Sequence, residues 1–118
     1  MKNEERLRNI MQYIIKAPST LNADVKLPAS KSIGNRALVI NALAGGTAMP
    51  DNLSDCDDTD VMIRALRDMP YEIDIKAAGT AMRFMTAYLA ATPGKHVITG
   101  TERMGNRPIA ILVDALRS

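Results

Sequence analysis

A chain of 118 residues with 47% hydrophobic and 24% charged side chains has the size and composition of one globular domain or of part of a larger one. A net charge of +2 and an aromatic content of 3%, without tryptophan, argue against nucleic-acid binding. The single cysteine excludes an internal disulfide, and no apolar run is long enough to cross a membrane. We therefore expect a cytoplasmic protein that binds neither nucleic acid nor membranes.

Hydrophobic periodicity predicts that short strands alternate with amphipathic helices. Residues 1–10 are polar, and we expect them to fray or to form a helix in which Glu4 and Arg8 pair. The predicted strands cover residues 13–16, 22–27, 47–53, 71–76 and 95–101. The predicted helices run from Ser32 to Leu43, from the acidic residues 55–60 to Pro70, from Gly79 to Pro93, and from Pro108 onward. This order, β-β-α-β-α-β-α-β-α, indicates an α+β fold with layered α/β packing.

The start of the first predicted helix has the chemistry of an anion site. Pro28 keeps the preceding chain extended, and Ser30 or Ser32 can then cap the helix. Unpaired N–H groups at a helix start attract anions, and Lys31 adds a full positive charge there. Arg36 lies one turn further, on the face of Ser32. An ordinary capped helix with solvated basic residues explains this stretch alone equally well.

Two later helix starts have similar chemistry. Gly79 permits close approach of a ligand to the backbone, Thr80 can cap, and Arg83 lies one turn into the helix. Arg107 immediately precedes Pro108, so its planar guanidinium is placed to bind a carboxylate or phosphate. Taken singly, the Gly79 stretch is better explained by a plain strand-to-helix turn, and Arg107 is equally compatible with a surface arginine. Because helices that follow parallel strands start at one edge of the sheet, we expect the three starts to converge on one pocket for a small polyanion.

Other reactive residues do not form a recognisable site. The acidic run fails the calcium-loop pattern, since Asp60 stands where glycine is needed and Leu66 where glutamate is needed. His96 is isolated in a predicted strand, and the acidic neighbours of Cys56 are expected to disfavour its thiolate. The sequence therefore predicts no metal site and no nucleophile.

Five groups of residues, in a specific order, resemble one enzyme family. They are Leu27–Ser32 with Asn35–Leu38, Ser54–Asp55 with Asp57–Asp58, Ala78–Arg83, Thr99–Gly100 with Arg103–Met104 and Arg107–Ile109, and Leu112–Arg117. Together they resemble the 5-enolpyruvylshikimate-3-phosphate synthase (EPSP synthase) family, from about residue 22 to the end of the chain. The resemblance covers only the opening part of that enzyme, which is several times longer.

The chain also departs from the family pattern. Gly34 and Ala77 replace a common serine and a common asparagine, and Phe84 stands where some members have proline. The link between the second helix and Gly79 is shorter than is usual in the family, so we expect one or two strands of a unit to be missing.

The resemblance implies an activity and a fold. The activity is transfer of an enolpyruvyl group from phosphoenolpyruvate to shikimate 3-phosphate with release of phosphate, in aromatic amino acid biosynthesis, without a metal or organic cofactor. The fold is an inside-out α/β barrel built from βαβαββ units, with two domains and the active site between them. Residues 1–20 would belong to a segment crossing from the other domain or to a frayed tail, and residues 21–118 to a partial substrate-binding domain.

The resemblance also implies roles for individual residues. Lys31 would be catalytic and would contact both substrates, while Ser32 and Arg36 would bind shikimate 3-phosphate. Gly79 and Arg107 would bind phosphoenolpyruvate, where the herbicide glyphosate also binds. Thr80 and Arg83 are further candidates for this second set.

We expect this chain to be a fragment that is inactive alone, because it stops in the last turn of a periodic helix and the family's acid and base groups lie later. Its expected partner is the C-terminal part of the same enzyme. Two alternatives remain open on the sequence. One is the sister transferase that acts on UDP-N-acetylglucosamine, and the other is a small RNA-binding α/β domain.

Overall fold

The computed structural model describes residues 13–118, and the predicted N-terminal helix or frayed segment with its Glu4–Arg8 pair lies outside the described residues. The described elements are α1 (Lys31–Leu43), α2 (Asp57–Asp68), β1 (Glu72–Asp74), α3 (Gly79–Ala90), β2 (Val97–Thr99), α4 (Glu102–Gly105) and α5 (Ala110–Arg117). The two strands pair in parallel, and α3 crosses between them. Among these residues, no helix is both long and apolar enough to cross a membrane.

Helix α1 begins where the sequence places a capping serine. Ser30 is extended, and its hydroxyl accepts a hydrogen bond from the backbone N–H of Ile33 at 3.4 Å. The helix therefore starts one residue before the predicted Ser32. It ends before Gly45, whose φ of 70° is in the left-handed region that glycine adopts without steric cost.

The charged residues of helix α2 lie at the ends where the helix dipole favours them. Three aspartates in its first turn and Arg67 in its last turn complement the helix dipole. It ends at Asp68, and the cap residue Met69 takes a left-handed conformation with its N–H bonded to the carbonyl of Ala65. Pro70, which follows, cannot continue the helix. The predicted end of the helix at Pro70 is confirmed.

The parallel strand pair fixes where the following loops begin. Ile73 lies opposite Ile98, and the pairing continues through a hydrogen bond from Ile75 N–H to the carbonyl of Thr99 at 2.9 Å. Parallel strands have their carboxyl ends at the same edge, so the segments leading to α3 and α4 both start there. The predicted second helix start, at Gly79, therefore lies at this edge, whereas the short helix α4 separates the third, at Pro108, from β2.

The core lies between α1, α2, α3 and the strand pair, and sulfur-containing side chains fill much of it. Met62 and Met85 are completely buried, and Met82 and Met104 are nearly so. Unbranched methionine side chains adapt to irregular gaps, which suits a small core of helices and short strands. The remaining buried apolar residues are Leu38, Val61, Ala65, Ile73, Ile75, Ala78 and Ala81.

Three predicted strands are wrong. Residues 13–16, 22–27 and 47–53 form no β-ladder in the described part of the chain. A strand requires hydrogen bonds to a neighbouring strand, and within residues 13–118 the strand pairing is that of β1 with β2. The apolar side chains of these segments are accordingly exposed, as Ile14 (89%) and Val25 (75%) illustrate. The described element order is α-α-β-α-β-α-α rather than the predicted alternation.

The C-terminal region also differs from the prediction. A short helix, α4, precedes Pro108, and the next helix begins at Ala110 because its first backbone bond runs from Val113 N–H to the carbonyl of Ile109. Helix α5 buries none of its residues completely, and Ile111 is 89% exposed. Its position therefore depends on a few contacts with α3.

Replacing the α1 cap provides a test of this fold. Ser30→Ala should lower the free energy of unfolding by about 0.5–2 kcal/mol, because the Ile33 N–H loses its acceptor. Urea denaturation followed by circular dichroism measures this change. Ser32→Ala is the matched control, because the Ser32 hydroxyl makes no hydrogen bond in the described structure. Equal destabilisation by both substitutions would contradict the capping assignment.

Candidate active site

Gly79 and Arg107 meet at the carboxyl edge of the strand pair. A Cβ atom placed on Gly79 would lie 2.7 Å from Nη1 and 3.4 Å from Cζ of Arg107. The Arg107 guanidinium therefore packs directly on the Cα of Gly79, at the start of α3. Any side chain at position 79 would displace the guanidinium, so glycine here permits the close approach, and its φ is not in the left-handed region.

Arg83 joins this pair from one turn inside α3. Its Nη1 donates to the carbonyl of Gly79 at 3.2 Å, and its Nη2 donates to the carbonyl of Pro108 at 3.1 Å. The same Nη1 lies 3.5 Å from the Cβ position considered above. Two guanidinium groups thus flank Gly79, and we call Gly79, Arg83 and Arg107 the arginine cluster.

The arginine cluster attracts anions. Within residues 13–118, neither Arg83 nor Arg107 forms an ion pair with an acidic side chain. The N-terminus of α3 adds partial positive charge beside the two guanidinium groups. A carboxylate or phosphate placed here would receive charge-assisted hydrogen bonds and relieve the repulsion between the arginines. Thr80 does not cap the helix as predicted, because the cap position is Ala78 and no side chain bonds there.

The start of α1 carries a second group of basic residues. Lys31 Nζ lies 3.2 Å from Oδ2 of Asp58, in the first turn of α2. Arg36 Nη1 donates to the carbonyl of Ser32 at 3.0 Å, which confirms that these two residues share a face. The charge of Lys31 is therefore directed toward α2, while Arg36 stays over the α1 start.

Arg36 also connects the two groups of basic residues. Its guanidinium carbon lies 6.0 Å from the ring centroid of Phe84, which directly follows Arg83 in α3. The predicted convergence through a common sheet edge is correct for Gly79 and Arg107 but wrong for α1, which no strand precedes in the described residues. Packing of α1 against α2 and α3 positions Lys31 and Arg36 instead.

Two residues near these groups carry part of the family resemblance but received no site role from the sequence. Asp58 lies in the first turn of α2, and its contact with Lys31 connects it to the site. Asn35 is completely buried, and its amide has no hydrogen-bond partner in the described structure. Its position one turn after Lys31 and three residues before the core residue Leu38 could have indicated a buried polar group.

Cys56 behaves differently from the prediction. Hydrogen bonding with Ser54, and then with Thr59, lowers the pKa of the Cys56 thiol despite its acidic neighbours. The Cys56 sulfur lies 3.3 Å from Oγ1 of Thr59, at the N-cap position of α2. The local hydrogen bonds outweigh desolvation by burial, which acts in the opposite direction. Within residues 13–118, no three His, Cys, Asp or Glu side chains are grouped as a metal ion requires.

The fold and the site define a mixed α/β segment with a cationic cluster at the carboxyl edge of its parallel strands. The profile of the EPSP synthase (3-phosphoshikimate 1-carboxyvinyltransferase) family matches residues 15–74 and 69–118. The chain therefore belongs to the EPSP synthase family, whose members have the enolpyruvyl transferase fold. The mixture of helices with a small parallel sheet is consistent with that fold.

Curated relatives carry the same name. A 3-phosphoshikimate 1-carboxyvinyltransferase from Bacteroides fragilis is 65% identical over 107 residues, covering 91% of this chain and 26% of that relative. One from Photobacterium profundum is 39% identical over 126 residues, covering 85% of this chain and 29% of that relative. The chain thus spans about a quarter of the curated relatives it matches. No solved structure is significantly similar to it.

The break in the family match has a structural location. Its two parts meet at residues 69–74, between the end of α2 and strand β1. This is the connection that the sequence indicated to be short. The alignment with the Bacteroides fragilis relative spans 107 residues within 91% of this chain, so that relative shares the short connection.

Substitution of Gly79 tests the arginine cluster directly. Gly79→Ala should displace the Arg107 guanidinium, because the new Cβ would lie 2.7 Å from its Nη1. Since a flexible side-chain end gives way and φ is not positive, thermal stability should not fall. The Arg107 Nε resonance in NMR spectra reports the displacement. Gly105→Ala is the control, since a Cβ there meets no atom within 4 Å. An unmoved resonance in Gly79→Ala would show that the two residues do not touch.

The lowered pKa of Cys56 predicts a pH dependence. A folded-state pKa below that of a free thiol means that the thiolate forms at lower pH, so alkylation by iodoacetamide should begin at lower pH in the folded chain than in the urea-unfolded chain. Ser54→Ala should move the folded profile back toward higher pH, because it removes the largest cause of the shift. Mass spectrometry of timed reactions measures both profiles. Identical folded and unfolded profiles are the contrary result.

Proposed function

We propose that the enzyme containing this chain transfers the enolpyruvyl group of phosphoenolpyruvate to shikimate 3-phosphate and releases phosphate. Membership of the EPSP synthase family supports this reaction. The observation that carries it is the Arg107 guanidinium, which lies on the Cα of Gly79 without an acidic partner in residues 13–118. Both substrates carry several negative charges, so each needs a basic group of this kind.

In this proposal, Gly79 and Arg107 of the arginine cluster bind phosphoenolpyruvate. Arg107 supplies a planar fork that matches a carboxylate or a phosphate in two parallel hydrogen bonds. Gly79 contributes the space in which that fork and the ligand approach the α3 N-terminus. Thr80 lies half-buried beside them and remains a candidate contact.

The start of α1 binds shikimate 3-phosphate in the same proposal. Ser32 offers a hydroxyl, and Arg36 lies over the same turn at 3.0 Å from the Ser32 carbonyl. Lys31 contacts both substrates, since its half-exposed ammonium needs only to exchange Asp58 for a substrate anion. Each residue keeps the role that the sequence resemblance implies.

The reaction passes through a tetrahedral, charged state in which phosphate departs from the ketal carbon. Basic side chains fixed before the reaction stabilise such a state more effectively than mobile water. This segment therefore contributes binding, orientation and positive charge. The groups that donate and accept protons belong to the later part of the enzyme, so the segment alone should be inactive.

We propose a matching domain organisation. Residues 21–118 form part of one substrate-binding domain in an inside-out α/β barrel of βαβαββ units, and residues 1–20 belong to a segment that crosses from the other domain. The exposed apolar side chains of residues 13–27 support this, because in the complete enzyme they gain strands to pair with. The C-terminal part of the enzyme is the expected partner. The single cysteine is consistent with the cytoplasm.

The matched family favours this reaction over the two alternatives. The curated relatives named above are 3-phosphoshikimate 1-carboxyvinyltransferases, not transferases named for UDP-N-acetylglucosamine. The RNA-binding alternative has little support, since the chain has an aromatic content of only 3% and a net charge of +2.

A chimeric enzyme makes the proposal testable. In it, this chain replaces the matching segment of the 65% identical Bacteroides fragilis relative, which supplies the missing part. The chimera should convert shikimate 3-phosphate and phosphoenolpyruvate and should not use UDP-N-acetylglucosamine. In this chimera, Arg107→Ala should weaken phosphoenolpyruvate binding by roughly 2–5 kcal/mol, because a charge-assisted pair is lost. Isothermal titration calorimetry measures the affinity.

The matched control for this prediction is Arg64→Ala. Arg64 is an exposed arginine of α2 that pairs with Asp60, so the substitution makes the same change of charge away from the site. It should leave phosphoenolpyruvate affinity unchanged. Equal affinities for the Arg107→Ala and unmodified chimeras would refute the role of Arg107, and turnover with only the UDP-sugar would refute the reaction.

A further inference from the structure

We propose that Arg83 is a positioning residue that holds the Arg107 guanidinium over Gly79, and that Arg83 does not itself bind substrate. The two hydrogen bonds of its guanidinium carry this inference, since one acceptor is the carbonyl of Gly79, which the Arg107 guanidinium contacts, and the other is the carbonyl of Pro108, the residue after Arg107. The inference rests on the proposed function for its kinetic consequences. The hydrogen bonds of Arg83 and their effect on the position of Arg107 do not depend on that function.

The first bond ties Arg83 to its own helix. Nη1 donates to the carbonyl of Gly79, four residues earlier, at 3.2 Å. This places the guanidinium plane beside the first turn of α3. Arg83 is half-buried here, and its neighbours Met82 and Met85 anchor the helix in the core. The backbone of Arg83 is therefore held in place by core packing of the neighbouring residues.

The second bond reaches 25 residues along the chain. Nη2 donates to the carbonyl of Pro108 at 3.1 Å, the residue directly after Arg107. Pro108 precedes the first turn of α5, where the first helical bond uses the carbonyl of Ile109 instead. Arg83 thus donates to the Pro108 carbonyl, which accepts no helical hydrogen bond from α5. This bond attaches the backbone of Pro108 to α3.

The segment that carries Arg107 needs this attachment. On its N-terminal side, the Arg107 N–H bonds to the carbonyl of Met104, whose side chain is buried, at 3.0 Å. On its C-terminal side, α5 has no fully buried residue to fix it. Ile109 packs against the core but is only partly buried, so the Arg83 bond to Pro108 is the hydrogen bond that attaches this side of Arg107 to α3. Without it, the guanidinium would lose its defined place on Gly79.

The two arginines use their hydrogen-bond donors differently. The bonds of Arg83 in the described structure go to backbone carbonyls, whereas the Arg107 guanidinium makes no hydrogen bond or ion pair within residues 13–118. Arg107 keeps its donors available for an anion, and Arg83 uses donors for the fold. Two like charges near Gly79 repel each other, so Arg107 would move away if its backbone were not attached.

Comparing Arg83→Lys with Arg83→Gln distinguishes a positioning role of Arg83 from a direct charge contact with substrate. Lysine keeps the charge but lacks the planar fork that reaches two carbonyls, and glutamine lacks both. In the chimera, both Arg83→Lys and Arg83→Gln should raise KM for phosphoenolpyruvate by a similar factor, roughly 10- to 100-fold, as expected for a misplaced binding group. The KM for shikimate 3-phosphate and kcat should change little. A much larger loss in Arg83→Gln than in Arg83→Lys would assign Arg83 to direct charge contact and overturn the proposal.

A double substitution tests whether Arg83 acts through Arg107. In a background of Arg107→Ala, adding Arg83→Lys should cause no further loss of phosphoenolpyruvate affinity, since nothing remains to be positioned. Additive losses would mean that Arg83 contacts substrate independently. Arg117→Lys, an exposed change in the last turn of α5, is the control and should leave all constants unchanged.

An NMR measurement on the 118-residue chain separates this proposal from the proposed function. In Arg83→Lys, the Arg107 Nε resonance should move toward that of free arginine, while thermal stability and the resonances of the Met62 and Met85 methyl groups stay unchanged. An unmoved Arg107 resonance would overturn the positioning role even if the chimera is active. If the unmodified chimera has no activity, the proposed reaction fails, and the NMR result still decides the role of Arg83.

Discussion

The close approach of one guanidinium group to a glycine Cα is the constraint on which this site depends. The Arg107 guanidinium lies on Gly79 because two parallel strands end at the same edge and direct the next loops toward each other. A hydrogen bond to Met104 and the Arg83 bond to Pro108 then fix the loop that carries it. The position of one positive charge therefore follows from strand pairing, a glycine and two backbone contacts.

The two groups of basic residues differ in whether an acidic side chain lies beside them. At the start of α1, Lys31 faces Asp58, and Arg36 is held between a carbonyl and the Phe84 ring. At the start of α3, two guanidinium groups are close together without a carboxylate from residues 13–118. Binding at α1 must exchange an existing partner, whereas binding at α3 relieves repulsion.

Local signals predicted the helices more accurately than the strands. Ser30, the first-turn aspartates of α2 and Pro70 act within one turn of the helix ends that they determine, so sequence alone locates those ends. Strands depend on distant partners, and residues 14–27 have suitable patterns but form no strand in the described part of the chain. The helix α4 was missed because four residues give too short a pattern for helical periodicity to show.

The sequence by itself determined the family motifs, the basic residues at three helix starts and the glycine that one of them needs, because these are properties of residue type and local spacing. Only the tertiary structure decided that Arg107 contacts Gly79, that Lys31 faces Asp58, and that Arg83 bonds to the carbonyl of Pro108. Each of these contacts joins residues about 25 or more positions apart. Such contacts depend on how strands pair and helices pack, which no local pattern specifies.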